Sequence, residues 1–255
     1  SKFYTYIIVA IMKTTQVLKT DISETTISDV SKKLITSSKN RVAICNANTL
    51  VRSVKNLEIR DSINSFSIKT PDGFPVAKAL SFLSKNKFPR VDGYKLFLQT
   101  ISDGLEANTR HYFFGNNEKT TLEMIKNLKN KYPNINISGY ICPENLSADD
   151  LASKYKDKFI KIDADIVWVS LGFPKQELFI EKIYNEINPD PNFVGIGGVF
   201  EWVAGTKVKA PEWLANIGLE WLFRLIQDPK RLYKRYLIDN TLFIVYFLRQ
   251  VLFLR

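Results

Sequence analysis

Five short polar clusters carry the side chains able to do chemistry, and each follows an apolar run: Asn46 and Asn48, Asp72-Gly73, Gly115-Asn116, Gly172 to Glu177, and Gly195 to Gly198. Asp72 lies in TPDGFPV, where Pro-Asp-Gly is first a turn signature, because proline presets φ and glycine accepts positive φ. A carboxylate held in a partly buried pocket after a strand also suits a general base acting on a hydroxyl. The other candidate for a neutral-pH base, His111 in HYFFG, has no evident partner and reads as a structural histidine.

In VSLGFPKQELF, residues 169–179, a glycine and a proline end an apolar run, and Lys175, Gln176 and Glu177 stand where a helix begins. Free N–H groups at that point favour anions. Lys175 and Glu177 could equally pair with each other there. GIGGVF resembles half a dinucleotide fingerprint without its third glycine or later acidic residue. Gly197 and Gly198 would still let backbone N–H groups approach a phosphate. Arg224 and Arg231 lie seven residues apart in EWLFRLIQDPKRLYKRY, with Lys230, Lys234 and Arg235 beside them. A solvated basic face is the simplest reading; forked guanidinium groups closing over a diphosphate is the competing one. Asp163-Ala164-Asp165 imitates a metal-binding DxD but precedes its strand, at the wrong sheet edge for a ligand, so capping or solvation is expected.

For these clusters to meet, the apolar runs before them must be neighbouring parallel strands. HYFFG, the helical NNEKTTLEMIKNLKNKY and INISGYI form one βαβ unit, and DADIVWVSLG, PKQELFIEKIYNEI and NFVGIGGVF form a second. The expected fold class is α/β, a Rossmann-like parallel sheet covered by helices, with ligands beyond the carboxyl ends of the strands. The texture divides residues 1–205, a catalytic core, from 206–255, a basic and aromatic helical appendage. That last stretch holds nine Lys or Arg against four Asp or Glu, half of the net charge of +10.

With 255 residues and 45% hydrophobic content, the chain can bury a large core. Its charge predicts an anionic partner: nucleic acid, anionic lipid or a phosphorylated small molecule. Cys45 and Cys142 suggest neither disulfide nor zinc site, and a reducing cytoplasm fits them. FYTYIIVAIM, residues 3–12, is too short to span a membrane and is expected to be a first strand or helix. TLFIVYFLRQVLFLR, with Arg249 and Arg255, falls below the spanning length and suits a helix lying on a membrane, a core helix or an oligomer contact.

Together, Asn46, Pro71-Asp72-Gly73, RVDGYKL with Arg90, FFGNN, LGFPKQE, GIGGVFEWVAG, KAPEW and GLEWLFRLIQDPKRLYKRY resemble the WecG/TagA/CpsF glycosyltransferases in kind and order over residues 20–236. The resemblance implies an inverting, metal-independent transferase without a cofactor, moving an N-acetylmannosamine-type sugar from UDP to a polyprenyl-diphosphate-linked sugar. It places the protein on the inner face of the cell membrane, on an anionic lipid surface, with no nucleic-acid partner. Asp72 would be the general base, Asn46 and Gln176 polar pocket residues, and Arg90 a substrate contact. Gly115, Gly197 and Gly198 would shape the pocket, and Arg224 and Arg231 would cover the leaving diphosphate. Two positions depart from the pattern: Ile44 replaces a frequent threonine, and Lys209-Ala210-Pro211 replaces Arg-Ala-Pro. The residues themselves leave room for a non-enzymatic nucleotide- or nucleic-acid-binding protein or a basic membrane scaffold, and a homo-oligomer is compatible.

Overall fold

The computed structural model describes residues 12–253, apart from the side chains of Asn216 and Arg231. Most of the N-terminal apolar run, and Arg255, therefore lie outside the described residues. An antiparallel hairpin comes first, β1 (Thr14–Val17) and β2 (Thr20–Ser23), turning at Leu18 with φ of 56°. The body follows as α1 (Ile27–Thr36), β3 (Arg41–Cys45), α2 (Ala47–Lys55), α3 (Leu57–Asn64), β4 (Ile68–Pro71), α4 (Phe74–Ser84) and α5 (Gly93–Asp103). It continues through β5 (Arg110–Gly115), α6 (Glu118–Lys131), β6 (Asn136–Ile141), α7 (Ala148–Ile160), β7 (Ile166–Ser170), α8 (Lys175–Ile187), β8 (Asn192–Gly195) and α9 (Val199–Val203).

The six body strands form one parallel sheet in the order β4-β3-β8-β7-β5-β6, as the alternating pattern predicts. Successive residues of a strand point to opposite faces, and here both faces are buried. Tyr112, Phe114, Val167, Val169 and Phe193 pack against one helical layer with Ile180 and Ile183 of α8. Phe113, Ile166, Trp168 and Val194 pack against the other with Phe97 and Met124. Trp168 meets Phe97 edge-on at 4.8 Å between ring centroids, and Phe114 stacks on Phe179 at 4.7 Å. Each such ring removed from water contributes roughly 1.5–3 kcal/mol, so the strand ends are held by a stiff centre.

Loops at the carboxyl edge enter their helices through polar caps. Asn46 caps α2, Asp92 caps α5 and Asn117 caps α6, each accepting a hydrogen bond from a backbone N–H of the first turn.

Beyond α9 the chain leaves the sheet as α10 (Glu212–Asn216), α11 (Glu220–Gln227), α12 (Pro229–Tyr233), a π-helical stretch (Lys234–Asp239) and α13 (Asn240–Phe253). The unbroken helix Lys234–Phe253 has 20 residues and is apolar enough to cross a membrane by length and composition, longer than the sequence pattern suggested. Several contacts hold it along the body. Asn48 donates to Asp239, Gln250 accepts from the Leu18 N–H at 2.7 Å and donates to the Gln16 carbonyl, and Phe247 packs edge-on against Phe82. Its other side leaves Leu248, Leu252 and Phe253 exposed.

Candidate active site

The five polar loops meet, as expected, at the carboxyl ends of β3, β4, β5, β7 and β8. Asn46, Asp72, Asn116, Gly172, Gln176 and Gly197 line one cleft of 710 Å³. A second cavity, of 400 Å³, adjoins it and runs under the π-helical stretch, with Gly73, Phe74, Arg90, Trp221, Tyr236 and Ile244 in its wall. Asn46, Asp72, Glu220, Arg224 and Arg235 belong to both.

Asp72 follows β4 on a turn completed by Gly73, whose φ of 77° suits glycine, and its Oδ1 accepts the Gly73 N–H at 2.8 Å. Burial pushes its carboxyl up to about 6; Arg90 and Arg224 oppose that shift, while Asp92 and Glu220 add to it. Arg90 lies across from it with Nε 4.0 Å from Asp72 Oδ1. The rest of the guanidinium is held by Asp92 at 2.9 Å and Glu220 at 2.7 Å. Although burial opposes it, Lys209, the Lys95 amide and Arg90 keep Asp92 below the usual carboxylate range.

Gln176 is nearly fully buried and ties two loops together: its Oε1 accepts the Gly197 N–H at 3.0 Å, and its Nε2 donates to Glu177 Oε1 at 2.9 Å. Ser170, at the end of β7, donates to the Gly197 carbonyl at 2.6 Å. The glycine turn at 197–198 is therefore fixed from both sides. Gly115 serves packing: a Cβ there would lie 2.3 Å from the Ser170 carbonyl oxygen, so glycine lets β5 end against β7 and presents Asn116 to the cleft. The helix-entry salt bridge left open for Lys175 and Glu177 does not form between them. Lys175 donates to Asn145 at 2.7 Å, and Glu177 is buried.

Arg224 of α11 reaches both cavities, with its guanidinium 4.7 Å from the Trp202 ring centroid. Arg231 lies in α12, and its side chain is outside the described residues. His111 is buried, its Nδ1 accepting from Trp168 Nε1 at 3.1 Å, and burial lowers it to about 4, which fits the structural reading. Asp163 and Asp165 pair with Arg110 at the opposite sheet edge, as their position before β7 requires.

The departures from the family pattern also find places. Ile44 lines the cleft. Lys209 sits 4.1 Å from the centroid of the Tyr94 ring and 3.7 Å from Asp92, pinning the start of the appendage to α5 by a cation–π contact and a charge pair. Sequence reading missed Asp92, Glu220, Trp202 and Trp221 as cavity residues, whereas Arg235, grouped there with Arg224 and Arg231, lines both cavities. Asp92 and Glu220 lie inside RVDGYKL and GLEWL, so the motifs contain them, but only their closure on Arg90 reveals a shared task. Among the described residues no group of three His, Cys, Asp or Glu side chains could hold a metal ion.

A doubly wound sheet with loop-built cavities at its carboxyl edge, a carboxylate where they meet and arginines beside it defines a class: an α/β protein whose cleft lies where such sheets bind their ligands. The sequence profile of the glycosyl transferase WecG/TagA/CpsF family matches residues 15–255, and the chain belongs to that family. It is 31% identical over 169 residues to an N-acetylglucosaminyldiphosphoundecaprenol N-acetyl-beta-D-mannosaminyltransferase of Bacillus spizizenii, covering 66% of this chain and 64% of that protein. A protein of the same description from Bacillus subtilis is 29% identical over 195 residues, covering 74% and 72%. The matched segment thus spans just under two thirds of the first relative's length.

Proposed function

We propose that the protein is an inverting glycosyltransferase that moves a hexosamine, of the N-acetylmannosamine type, from a UDP-sugar to a polyprenyl-diphosphate-linked sugar. The observation that carries this reading is the position of Asp72 on the wall of both cavities. A donor in the polar cleft and an acceptor in the cavity under the C-terminal helix would meet at this carboxylate. Asp72 takes the proton from the acceptor hydroxyl as its oxygen bonds to the anomeric carbon, and the bond to UDP breaks on the opposite face. With its carboxyl pushed up to about 6, Asp72 is ionised at neutral pH yet basic enough to receive that proton.

The leaving diphosphate develops negative charge, which Arg224 and the Gly198 N–H of the glycine turn would stabilise, the Gly197 N–H being held by Gln176; Arg231 is assigned the same task by the family resemblance. Arg90, engaged by Asp92 and Glu220, positions Asp72 and ties α11 to the body. We read residues 206–255 as the membrane-associating unit. The exposed apolar side of α13 would rest in the headgroup layer on the inner membrane face, with the second cavity opening beside it. The relatives' substrate names support this lipid-linked acceptor. UDP as donor carrier, metal independence and inversion follow the family resemblance.

A panel of UDP-sugars tested against a short-chain lipid-diphosphate-GlcNAc acceptor decides the matter, with calorimetry of UDP against other nucleotides beside it. The expected result is transfer from one N-acetylhexosamine donor and selective UDP binding. Nucleotide binding without transfer from any donor overturns the reading.

A further inference from the structure

One buried ionisable group on the wall of the polar cleft has no part in the reaction just described. Glu177 is the third residue of α8 and 2% exposed. Its Oε1 accepts from Gln176, whereas Oε2 has no hydrogen-bond partner among the described residues. A glutamate at this point of a helix commonly returns a hydrogen bond to the backbone N–H of the capping residue. The capping residue here is Pro174, which has no N–H to give. The helix start still favours the negative charge, but one acceptor oxygen is left unused in a buried place, an arrangement that is costly unless a ligand supplies a donor.

The chemistry of that ligand group is restricted. A carboxylate accepts hydrogen bonds and repels phosphate, so this stretch of wall suits a neutral O–H or N–H. Gln176, beside it, holds the Gly197 turn on which a diphosphate would rest, so Glu177 neighbours the residue that fixes that turn, and both line the cleft read as the donor-sugar site. The terminal carboxylate torsion is broad and two-fold, so either oxygen can keep the Gln176 bond while the other turns to the cleft.

We propose that Glu177 is a specificity-determining residue that accepts a hydrogen bond from a hydroxyl or acetamido N–H of the sugar being transferred. This rests on the reading of the cleft as a donor-sugar site. Burial pushes the Glu177 carboxyl up to about 7, against the Gln176 hydrogen bond, its own amide and the charge of Arg235, and an incoming donor would favour the charged form.

Glu177→Gln keeps the size of the side chain but removes one acceptor; Glu177→Ala removes both. With either variant, UDP affinity by calorimetry should stay within about twofold of wild type, while kcat/KM for the preferred UDP-sugar falls by about 10- to 100-fold. A donor lacking the contacted hydroxyl or acetamido group should be used equally by wild type and variants. Wild-type kcat/KM in both variants, or a UDP affinity that falls as far as kcat/KM does, overturns the assignment. Failure of the wild-type protein to bind UDP or transfer sugar overturns the proposed function, and this inference with it.

Discussion

Arg90 and Glu220, 130 residues apart, close to 2.7 Å, and this contact joins α11 to the loop that faces Asp72. The same guanidinium presents its Nε to Asp72 at 4.0 Å, so the proposed base is framed by a group whose position depends on α11.

Breaking that contact should loosen the appendage and weaken catalysis together. Both side chains are mostly buried, at 19% and 16% exposure, so Glu220→Ala is expected to cost about 1–3 kcal/mol. A double-mutant cycle with Arg90→Ala should return a coupling of about 1 kcal/mol or more. Limited proteolysis should cut first beyond residue 205; additive single-mutant effects would dissolve the link.

Asp72→Asn should lower kcat by about 10²- to 10⁴-fold, the usual contribution of a general base, without lowering Tm. In the wild type the base must be ionised. With its carboxyl at about 6, and Glu177 at about 7 contributing in its charged form, kcat/KM should fall as pH drops below 7, by about tenfold per pH unit or more below pH 6, and level off above pH 7. Wild-type turnover in the variant would remove Asp72 from the reaction.

Stability should decline as pH rises through the range where two carboxyls are protonated only in the folded state. Burial lifts Glu177 from 4.5 to about 7 and Asp72 from 3.8 to about 6. The folded chain therefore holds more protons than the unfolded one in between, and stability present at low pH is lost as pH rises through the folded values. Glu177→Gln should gain up to about 3 kcal/mol over wild type at pH 8 and much less at pH 4.5. Chemical denaturation at the two pH values tests this, and equal gains at both would contradict it.

Gly115→Ala should fail for a structural reason. The added Cβ meets backbone oxygen at 2.3 Å at a φ of 130°, so the variant should lose about 3 kcal/mol or more, or not fold. Gly172→Ala has open space around its Cβ, and only its φ of 80° opposes it, so its cost should be nearer 1–2 kcal/mol. Thermal melts of the two variants rank them.

Membrane association should reside on the outer side of α13. Leu248→Glu with Leu252→Glu places charge where the chain exposes apolar surface, at 54% and 67%, and should reduce sedimentation with anionic vesicles at least about tenfold while leaving UDP binding intact. Unchanged sedimentation would move lipid contact elsewhere.

The parallel sheet and the shared rim of the five loops were legible in the sequence because buried strands write continuous apolar runs and loops write glycine, proline and asparagine. His111 and the Asp163–Asp165 pair were readable for the same local reason: position relative to a strand decides which edge a side chain occupies. What a linear pattern does not encode is distance between segments far apart in the chain. Spacing says nothing of the Arg90–Glu220 contact, and it left open whether Lys175 and Glu177 serve a helix-entry salt bridge or the cleft. Tertiary packing gave Lys175 to Asn145 and buried Glu177 beside the cleft. It likewise folded Lys234–Phe253 back over Asp72 to make the second cavity, a wall supplied by α11 and the C-terminal helix that exists only once they dock on the sheet. Local residue chemistry thus determined the strands, the loops and the candidate base; burial and closure across the chain decided which charged groups frame that base and which, like Glu177, are buried on the cleft wall.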